Sequence, residues 1–392
     1  MKITCFANFA DPQTYPFFTT LYEKTGHQFL LAATEPFEQQ LLEYGYEDLN
    51  ESVFVEKLYM AEDPLKKAEE LARESDVLIY GHCPVEYFNL AVKSGKTVFR
   101  LSQHIYRDGN MSAVPFKWKL SYFIKHTLAL LGKPVYLMCL GTYTARDFNI
   151  TASYRNKMYE FGEFTPTVQL DIDQLMQRKQ SEPVKICWIN TFHEWFHPET
   201  AIDLIEAIMD RPFEFKLVGN NTMPQELKEK YLHSKAHSKI KVIENAGMEQ
   251  VNEILKESNI FLMTSDHNEG WGNILNTAMN YGCACVVSNA VGSSKMIEQG
   301  RNGLLYRYDR FESLVEKVTY LLDHPEKIEQ YGRNAYSAII NEWNGVIAGE
   351  RFYELAENLI NGKESPFTKG ICSPARIVNQ LTMDETAESL PN

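Results

Sequence analysis

The sequence has no run approaching the ~18 consecutive apolar residues that a membrane-spanning helix needs. It has no basic excess either. Lys and Arg total 39 against 52 Asp and Glu, a net charge of −13. That excludes a global nucleic-acid footprint and leaves only a local basic patch to draw an anionic partner. Cysteine is sparse and unpatterned, seven residues at 5, 83, 139, 187, 283, 285 and 372. An odd number without regular spacing does not make a disulfide framework, and no CxxC pair marks a metal site. Most lie in apolar runs such as Ile186-Cys187-Trp188, as buried thiols do. The start, Met1-Lys2-Ile3-Thr4-Cys5-Phe6, has no long apolar core or cleavage site, so a cytoplasmic protein is expected. No short-period repeat or low-complexity tract is present.

What remains is an ordinary globular composition, 44% hydrophobic and 23% charged over 392 residues. At ~150 residues per domain this length predicts two domains. Short β-like runs alternate with helical patterns. The first half predicts strands at 2–7, 27–32, 52–55, 76–80, 97–101, 135–139 and 157–161, with helices at 15–24, 64–74 and 116–131. The second predicts strands at 184–189, 213–218, 241–243, 260–263, 284–287 and 304–306. Its helices fall at 198–209, 224–232, 249–257, 271–281, 311–322, 325–342 and 348–361. Strands apolar on both faces and separated by helices indicate covered parallel sheets. The fold class is therefore α/β, with two Rossmann-like, doubly wound parallel-sheet domains. The polar stretch Thr165–Pro183 reads as their joint. The expected divisions are residues 1–170, 171–345, a helix at 346–362 and a poorly ordered tail at 363–392. Open α/β sheets bind ligands at their strands' carboxyl ends. A ligand cleft between two facing domains is the expectation.

The most informative segment is Ser265-Asp-His-Asn-Glu-Gly-Trp-Gly-Asn-Ile-Leu-Asn-Thr-Ala-Met-Asn-Tyr-Gly282. It links a predicted strand to a predicted helix. Glu269 falls in the intervening loop, and Gly270 and Gly272 allow close backbone approach. Free amides at a helix start form an anion site. A carboxylate beside them suits a ligand with both hydroxyls and phosphate. The plainer reading is an acidic helix start with glycines for the turn.

Glu269-Gly270-Trp271-Gly272, with Ala278-Met279 and Gly282, resembles the EGFG…EAMACG signature of retaining GT-B glycosyltransferases of the family four, group 1 type. Residues 284–292 and 297–305 resemble that family's VVAT-x-VGG…EII-x-x-G-x-NGLL pattern. The resemblance covers most of 184–343. It implies a GT-B fold and sugar transfer from a nucleotide-sugar donor, UDP- or GDP-linked. The acceptor would be a saccharide or lipid-linked one, as in surface polysaccharide or glycoconjugate synthesis. No cofactor and no metal are implied. It assigns donor-sugar hydroxyls to Glu269, and sugar and diphosphate contacts to Gly270, Trp271, Gly272 and Asn273. It places Asn190, Thr191, Gly219 and Asn220 around the nucleotide. The last long helix, near 348–361, would cross back to the first domain.

Three positions depart from that pattern. The family's second Glu, which holds the ribose, is Thr277 here. Its Arg and Lys, in a stretch like GRF-x-x-WKHPE, are Thr191 and Phe196. Charge-assisted hydrogen bonds contribute ~1.5–3 kcal/mol each, and removing a group that stabilises developing charge costs ~10²–10³ in rate. Either another group compensates, with His193, His197, Lys295 and Arg301 as candidates, or the donor is unusual, or the chain is a non-catalytic GT-B partner subunit. A GT-B epimerase is a third class, but no paired carboxylates can be placed for it.

In the first half, His82 and His104 follow predicted strands where a carboxyl-end loop would face a ligand. The resemblance gives an N-domain His such as His104 a contact with the donor sugar. Asn8, in Asn8-Phe9-Ala10-Asp11-Pro12, stands where the family has a Gly-Gly acceptor loop. The stretch 116–133 interleaves Phe116, Trp118, Tyr122 and Phe123 with Lys117, Lys119, Lys125 and Lys133. It reads as a peripheral membrane contact or as a helix covering the sheet. Asp147–Lys157 reads as turn formers leading into a strand. Pairing with itself or with a second chain is left open.

Overall fold

The computed structural model describes residues 1–43, 45–106, 114–180 and 182–389. They divide into two compact units. Unit 1 takes 1–106, 114–166 and 342–378; unit 2 takes 167–341 and 379–389.

Unit 1 has seven strands: β1 (Ile3–Ala7), β2 (Phe29–Ala33), β3 (Val55–Lys57), β4 (Val77–Tyr80), β5 (Thr97–Gln103), β6 (Val135–Leu140) and β7 (Met158–Phe161). They lie in the order β3-β2-β1-β4-β5-β6-β7, every pair parallel. All five residues of β1 are buried, as expected of a parallel strand covered on both faces. The order reverses between β1 and β4. The helix Pro64–Glu74 starts where a side chain supplies an acceptor that the backbone leaves missing. Asp63 accepts from Lys66 N at 3.0 Å and Pro64 fills the first helical position of Pro64–Glu74.

Unit 2 repeats the design with six strands: β8 (Val184–Asn190), β9 (Phe213–Gly219), β10 (Ile240–Ile243), β11 (Ile260–Met263), β12 (Ala284–Ser288) and β13 (Gly303–Tyr306). Their order is β10-β9-β8-β11-β12-β13, again all parallel, reversing between β8 and β11. Trp188, Ile205, Leu217, Leu262, Val286 and Leu304 belong to its core.

Three expectations need correction. The joint Thr165–Pro183 contains a helix, Ile172–Lys179, capped by Asp171 and burying Leu175 and Met176 in unit 2. Its three apolar residues, Ile172, Leu175 and Met176, fill a single turn, too short a run to stand out among polar neighbours. The helix expected over 116–131 runs only from Phe116 to Phe123; Ile124–Leu128 then widens, with Ala129 N bonding to Ile124 O at 3.0 Å. The tail is packed as far as residue 389, and its last three residues lie outside the described ones. Cys372 N and Glu160 O pair at 2.7 Å, and Glu160 N and Ser373 O at 2.8 Å, extending the sheet of unit 1 beyond β7 with an antiparallel bridge. The helix Gln380–Glu388 joins unit 2, where Asp384 accepts from Asn289 Nδ2 at 2.7 Å and Glu388 from Arg307 at 2.7 Å. Six of the seven cysteines are buried and all seven are free thiols.

The helix Gly345–Ile360 lies in unit 1, against Tyr15–Lys24. Asn344 caps it by accepting from Ile347 N at 2.9 Å. A Cβ at Gly345 would sit 2.7 Å from Phe17 N, and one at Gly349 2.6 Å from Thr20 Cβ. Below them Phe352 meets Phe17 edge-on at 5.5 Å and Phe99 at 4.7 Å. Gly→Ala in an exposed helix would stabilise by roughly 0.8–1 kcal/mol. Here Gly345→Ala and Gly349→Ala should each instead destabilise by about 1–3 kcal/mol through overpacking. Thermal unfolding checks the sign, and a raised midpoint would contradict this packing.

Candidate active site

Unit 2 gathers its candidate residues where β8 and β11 part. Asn190 ends β8; Glu269 lies in the loop after β11. Asn190 Nδ2 donates to Glu269 Oε1 at 3.4 Å, while its Oδ1 accepts from Thr191 N at 2.8 Å. Gly272 lies beside the same carboxylate: a Cβ there would be 3.2 Å from Glu269 Oε1 and 2.3 Å from Met263 Cε, and its φ is +84°. Only glycine takes that conformation at little cost. The loop is pinned from the turn after β12. Gly292 N donates to Gly270 O and Ser293 N to Trp271 O, both at 2.9 Å. A Cβ at Gly292 would stand 2.3 Å from Gly270 O.

Several assigned roles change with this geometry. The helix expected from Trp271 begins at Ile274 and has seven residues. Trp271 to Asn273 therefore form a turn before the helix, and the anion-binding argument rests on that turn rather than on a long helix dipole. The Trp271 ring is buried, its Nε1 donating to Asn276 Oδ1 at 2.8 Å; this side chain is core. Gly219 is also a packing residue, since a Cβ would lie 2.2 Å from the Phe192 ring. Asn220 is exposed beside it, its N donating to Asn190 O at 3.3 Å. Thr191 and Thr277 are half-buried. Phe196 packs against the hydrophobic core.

The candidate replacement cations separate clearly. Arg301 precedes β13, whose first residue pairs with Cys285 near the start of β12. It is thus at the amino ends of the strands, away from Glu269, and it is ion-paired with Glu298. His197 is held between two carboxylates, Nδ1 with Glu199 at 2.7 Å and Nε2 with Asp266 at 3.2 Å. These bonds push its pKa up to about 9, the Asp266 bond most. Burial alone would raise both carboxyls, but their bonds to His197 hold them below their ordinary values. A cation with both nitrogens engaged and two negative neighbours offers nothing to a phosphate. The clamp ties the β8 loop to the β11 loop, aided by Asp266 N donating to Trp195 O at 3.0 Å. His193 remains exposed, its Nδ1 accepting from Trp195 N at 3.3 Å. Lys295 lies in the turn Gly292–Met296, at the same strand end as Glu269. The clamp is not visible in the sequence because Asp266 is 69 positions from His197.

Unit 1 assembles its candidates likewise at carboxyl ends. Asn8 N donates to His82 O at 2.7 Å across the β1/β4 reversal. His82 is exposed and Asn8 half-buried, its Oδ1 accepting from Thr34 Oγ1 at 3.5 Å. His104 follows β5 and is buried. Asp147, read as a turn former, is instead a buried residue of the helix Thr144–Asn149. It accepts from Ile105 N and Tyr106 N, both at 2.9 Å. Among the described residues no cluster of three or more His, Cys, Asp or Glu could hold a metal ion. None of the described helices is long and apolar enough to cross a membrane.

Residues 172–338 match the family model for glycosyl transferases group 1. A relative from Methanocaldococcus jannaschii, named uncharacterized glycosyltransferase MJ1069, is 24% identical over 261 residues, 63% of this chain. The match spans 64% of that relative's length, just under two thirds. Among solved structures, a glycosyltransferase from Rickettsia africae aligns with a TM-score of 0.64 at 13% identity, covering 92% of this chain and 99% of that one. Anabaena Alr3699/HepE in complex with UDP and glucose aligns at 0.62 and 14% identity, covering 90% and 98%. The fold is GT-B. The second unit of this GT-B chain carries the group 1 match, and it is the unit that holds Glu269.

The clamp makes a prediction about pH. The His197 midpoint is near 6.5 when unfolded and about 9 when folded. Stability from its charge is therefore complete below pH 6.5 and lost as pH rises through 9. In urea unfolding, the destabilisation by His197→Gln should shrink across that window. A constant difference would show that His197 is not held as a cation.

Proposed function

We propose that this chain is a glycosyltransferase that moves a sugar from a nucleotide-sugar donor to a saccharide or lipid-linked acceptor with retention of configuration. The observation that carries the reading is the Asn190–Glu269–Gly272 constellation at the point where the strand order of unit 2 reverses. Ligands of doubly wound sheets bind at such points. A carboxylate suits sugar hydroxyls, and a glycine-bearing turn suits a phosphate. The group 1 match over this segment supports the assignment. Alr3699/HepE, of the same fold, holds UDP and glucose, which supports a uridine diphosphate sugar here.

In the proposed reaction an acceptor hydroxyl attacks the anomeric carbon from the face that the diphosphate leaves. The carbon–phosphate oxygen bond breaks as the new glycosidic bond forms. The departing phosphate oxygen takes the hydroxyl proton, so no separate base is needed. Glu269 orients the sugar through its hydroxyls. The Gly270–Asn273 turn binds sugar and phosphate, with Asn190, Thr191, Gly219, Asn220 and Thr277 around the nucleotide. Lys295 supplies the positive charge that Thr191 and Phe196 cannot, and His193 a hydrogen-bonding ring on the same strand end. His104 takes the donor-sugar contact, while Asn8 and His82 belong to the acceptor.

Calorimetry with UDP-glucose, UDP-N-acetylglucosamine and GDP-mannose tests this. At least one should bind, and Glu269→Ala should lower kcat by about 10²-fold with an unchanged thermal midpoint. Unaltered turnover would remove Glu269 from the mechanism. A second reading, a donor-dead GT-B subunit supporting an active partner, is favoured by the enclosure of His197 and the remoteness of Arg301. Absence of heat from every donor would favour it.

The acceptor proposal extends to a lipid surface. Phe116, Trp118, Leu120, Ile124, Leu128 and Leu131 are all exposed, Phe116 by 79% and Leu131 by 77%. Lys117 and Lys125 are exposed among them. Apolar anchors with interleaved Lys fit an anionic bilayer, each Lys contributing about 1 kcal/mol. Vesicles containing anionic lipid should sediment the protein, neutral vesicles much less. Trp118→Glu with Leu128→Glu should abolish it. Sedimentation unchanged in that variant would dismiss the contact.

A further inference from the structure

Asp147 is a buried carboxylate with no part in the reaction described above. It lies on the helix Thr144–Asn149, which follows β6. Strands β5 and β6 are paired up to Gln103 and Leu140. The helix therefore starts beside the chain segment that leaves β5, which is the His104 segment. One carboxylate oxygen, Oδ2, accepts from Ile105 N and Tyr106 N, both at 2.9 Å. Those are the two amides immediately after His104. The other, Oδ1, accepts from Arg146 Nε at 3.0 Å and Nη2 at 2.9 Å. The Arg146 guanidinium lies over the Tyr143 ring, 4.5 Å from its centroid. The pair is almost completely enclosed, with side-chain exposures of 8% for Arg146 and 0% for Asp147.

A buried ion pair is a poor way to gain stability, because desolvation offsets most of the attraction. Apolar residues of similar volume would cover the end of β6 as well. Only a carboxylate, however, can accept two successive amides and a guanidinium at once. Its function is to fix a backbone turn. Burial raises the Asp147 pKa, while Arg146, the Tyr106 amide and the nearby His104 draw it down. The carboxylate thus lies within electrostatic range of His104 and holds the two amides that follow it.

We propose that Asp147, oriented by Arg146, is the positioning residue for His104, fixing the direction in which the imidazole leaves the end of β5. The proposal rests on His104 having the donor-sugar contact assigned above, but its geometry is testable without turnover.

The test is a spectrum of the intact chain with ¹⁵N-labelled histidine, ten residues in all, with His104 assigned by His104→Gln. Asp147→Asn retains the shape and removes the charge. It should move the His104 imidazole signals by several ppm and leave the other nine in place. A folded Asp147→Asn protein with an unmoved His104 signal overturns the proposal. If that variant does not accumulate, Arg146→Lys, which preserves the charge but not the paired donors, should shift the same signals by less, and their immobility overturns it equally. With a donor in hand, Asp147→Asn should lower kcat about tenfold or more with KM little changed, and should add nothing to His104→Ala. Activity intact in His104→Ala with the spectral shift present would reject the sugar contact and keep the positioning.

Discussion

The parting of β8 and β11 is the constraint on which the rest of unit 2 depends. Two neighbouring parallel strands whose following connections run to opposite sides leave a gap at their carboxyl ends that no side chain of the sheet fills. Asn190 is the last residue of one strand, and the loop after the other must return past it. That loop is held at two carbonyls, Gly270 O and Trp271 O, by amides from the turn after β12. The space is so tight that Gly292 cannot carry a Cβ. With its backbone fixed at both carbonyls, the loop carries Glu269 at a defined place beside Asn190. The acidic residue and its glycines are thus consequences of one topological feature rather than separate decorations.

The charge balance of the site follows from the same loops. His197 adopts a left-handed conformation at φ 48° just before the helix Pro198–Ala207. From there both its nitrogens reach carboxylates, one of them on the β11 loop. The positive charge is used to bind two loops together. Phe196, next to it, turns to the core and supplies no charge. Of the four basic side chains that could face a phosphate, His197 is engaged by two carboxylates and Arg301 lies at the opposite strand end, so only Lys295 and His193 lie near the end that carries Glu269.

Most strands were legible because parallel strands are apolar on both faces; β3, half-buried with the sequence Val55-Glu56-Lys57, was expected at 52–55 and lies further along the chain. Ile260–Met263 and Ala284–Ser288 are entirely buried runs, and burial on both faces leaves a continuous signal that helical neighbours do not mimic. The helix Ile172–Lys179 and the segment around Ile371 and Cys372 were not legible, because each buries only two or so residues among polar ones. The helix packs on neighbouring helices and the Cys372 segment pairs with β7, long-range contacts that no local pattern records. The loop holding Glu269 was legible through its glycines. The partners that fix it, Gly292 and Asn190, are 20 or more residues away, so their contacts could only appear in three dimensions. Asp147 was misread for a related reason. An Asp before Phe148 and Asn149 looks like a turn residue, and its burial depends on amides some 40 positions earlier.

The molecule buries charge in more than one place, and the partners distinguish the uses. Lys179 is also enclosed, donating to Leu255 O and Ser258 O and lying 3.4 Å from Cys283 Sγ. Its partners are carbonyls around a helix end, so it satisfies acceptors that the helix would otherwise leave open. That is a structural cap, and it accounts fully for the buried ammonium. Asp147 caps no helix of its own. Its partners are Arg146 and the two amides that follow a buried histidine at the neighbouring strand's exit. A buried charge tends to be retained where it specifies one arrangement among several that packing alone would allow. At the end of β5 the arrangement specified is that of His104, and the charge is on the residue best placed to specify it.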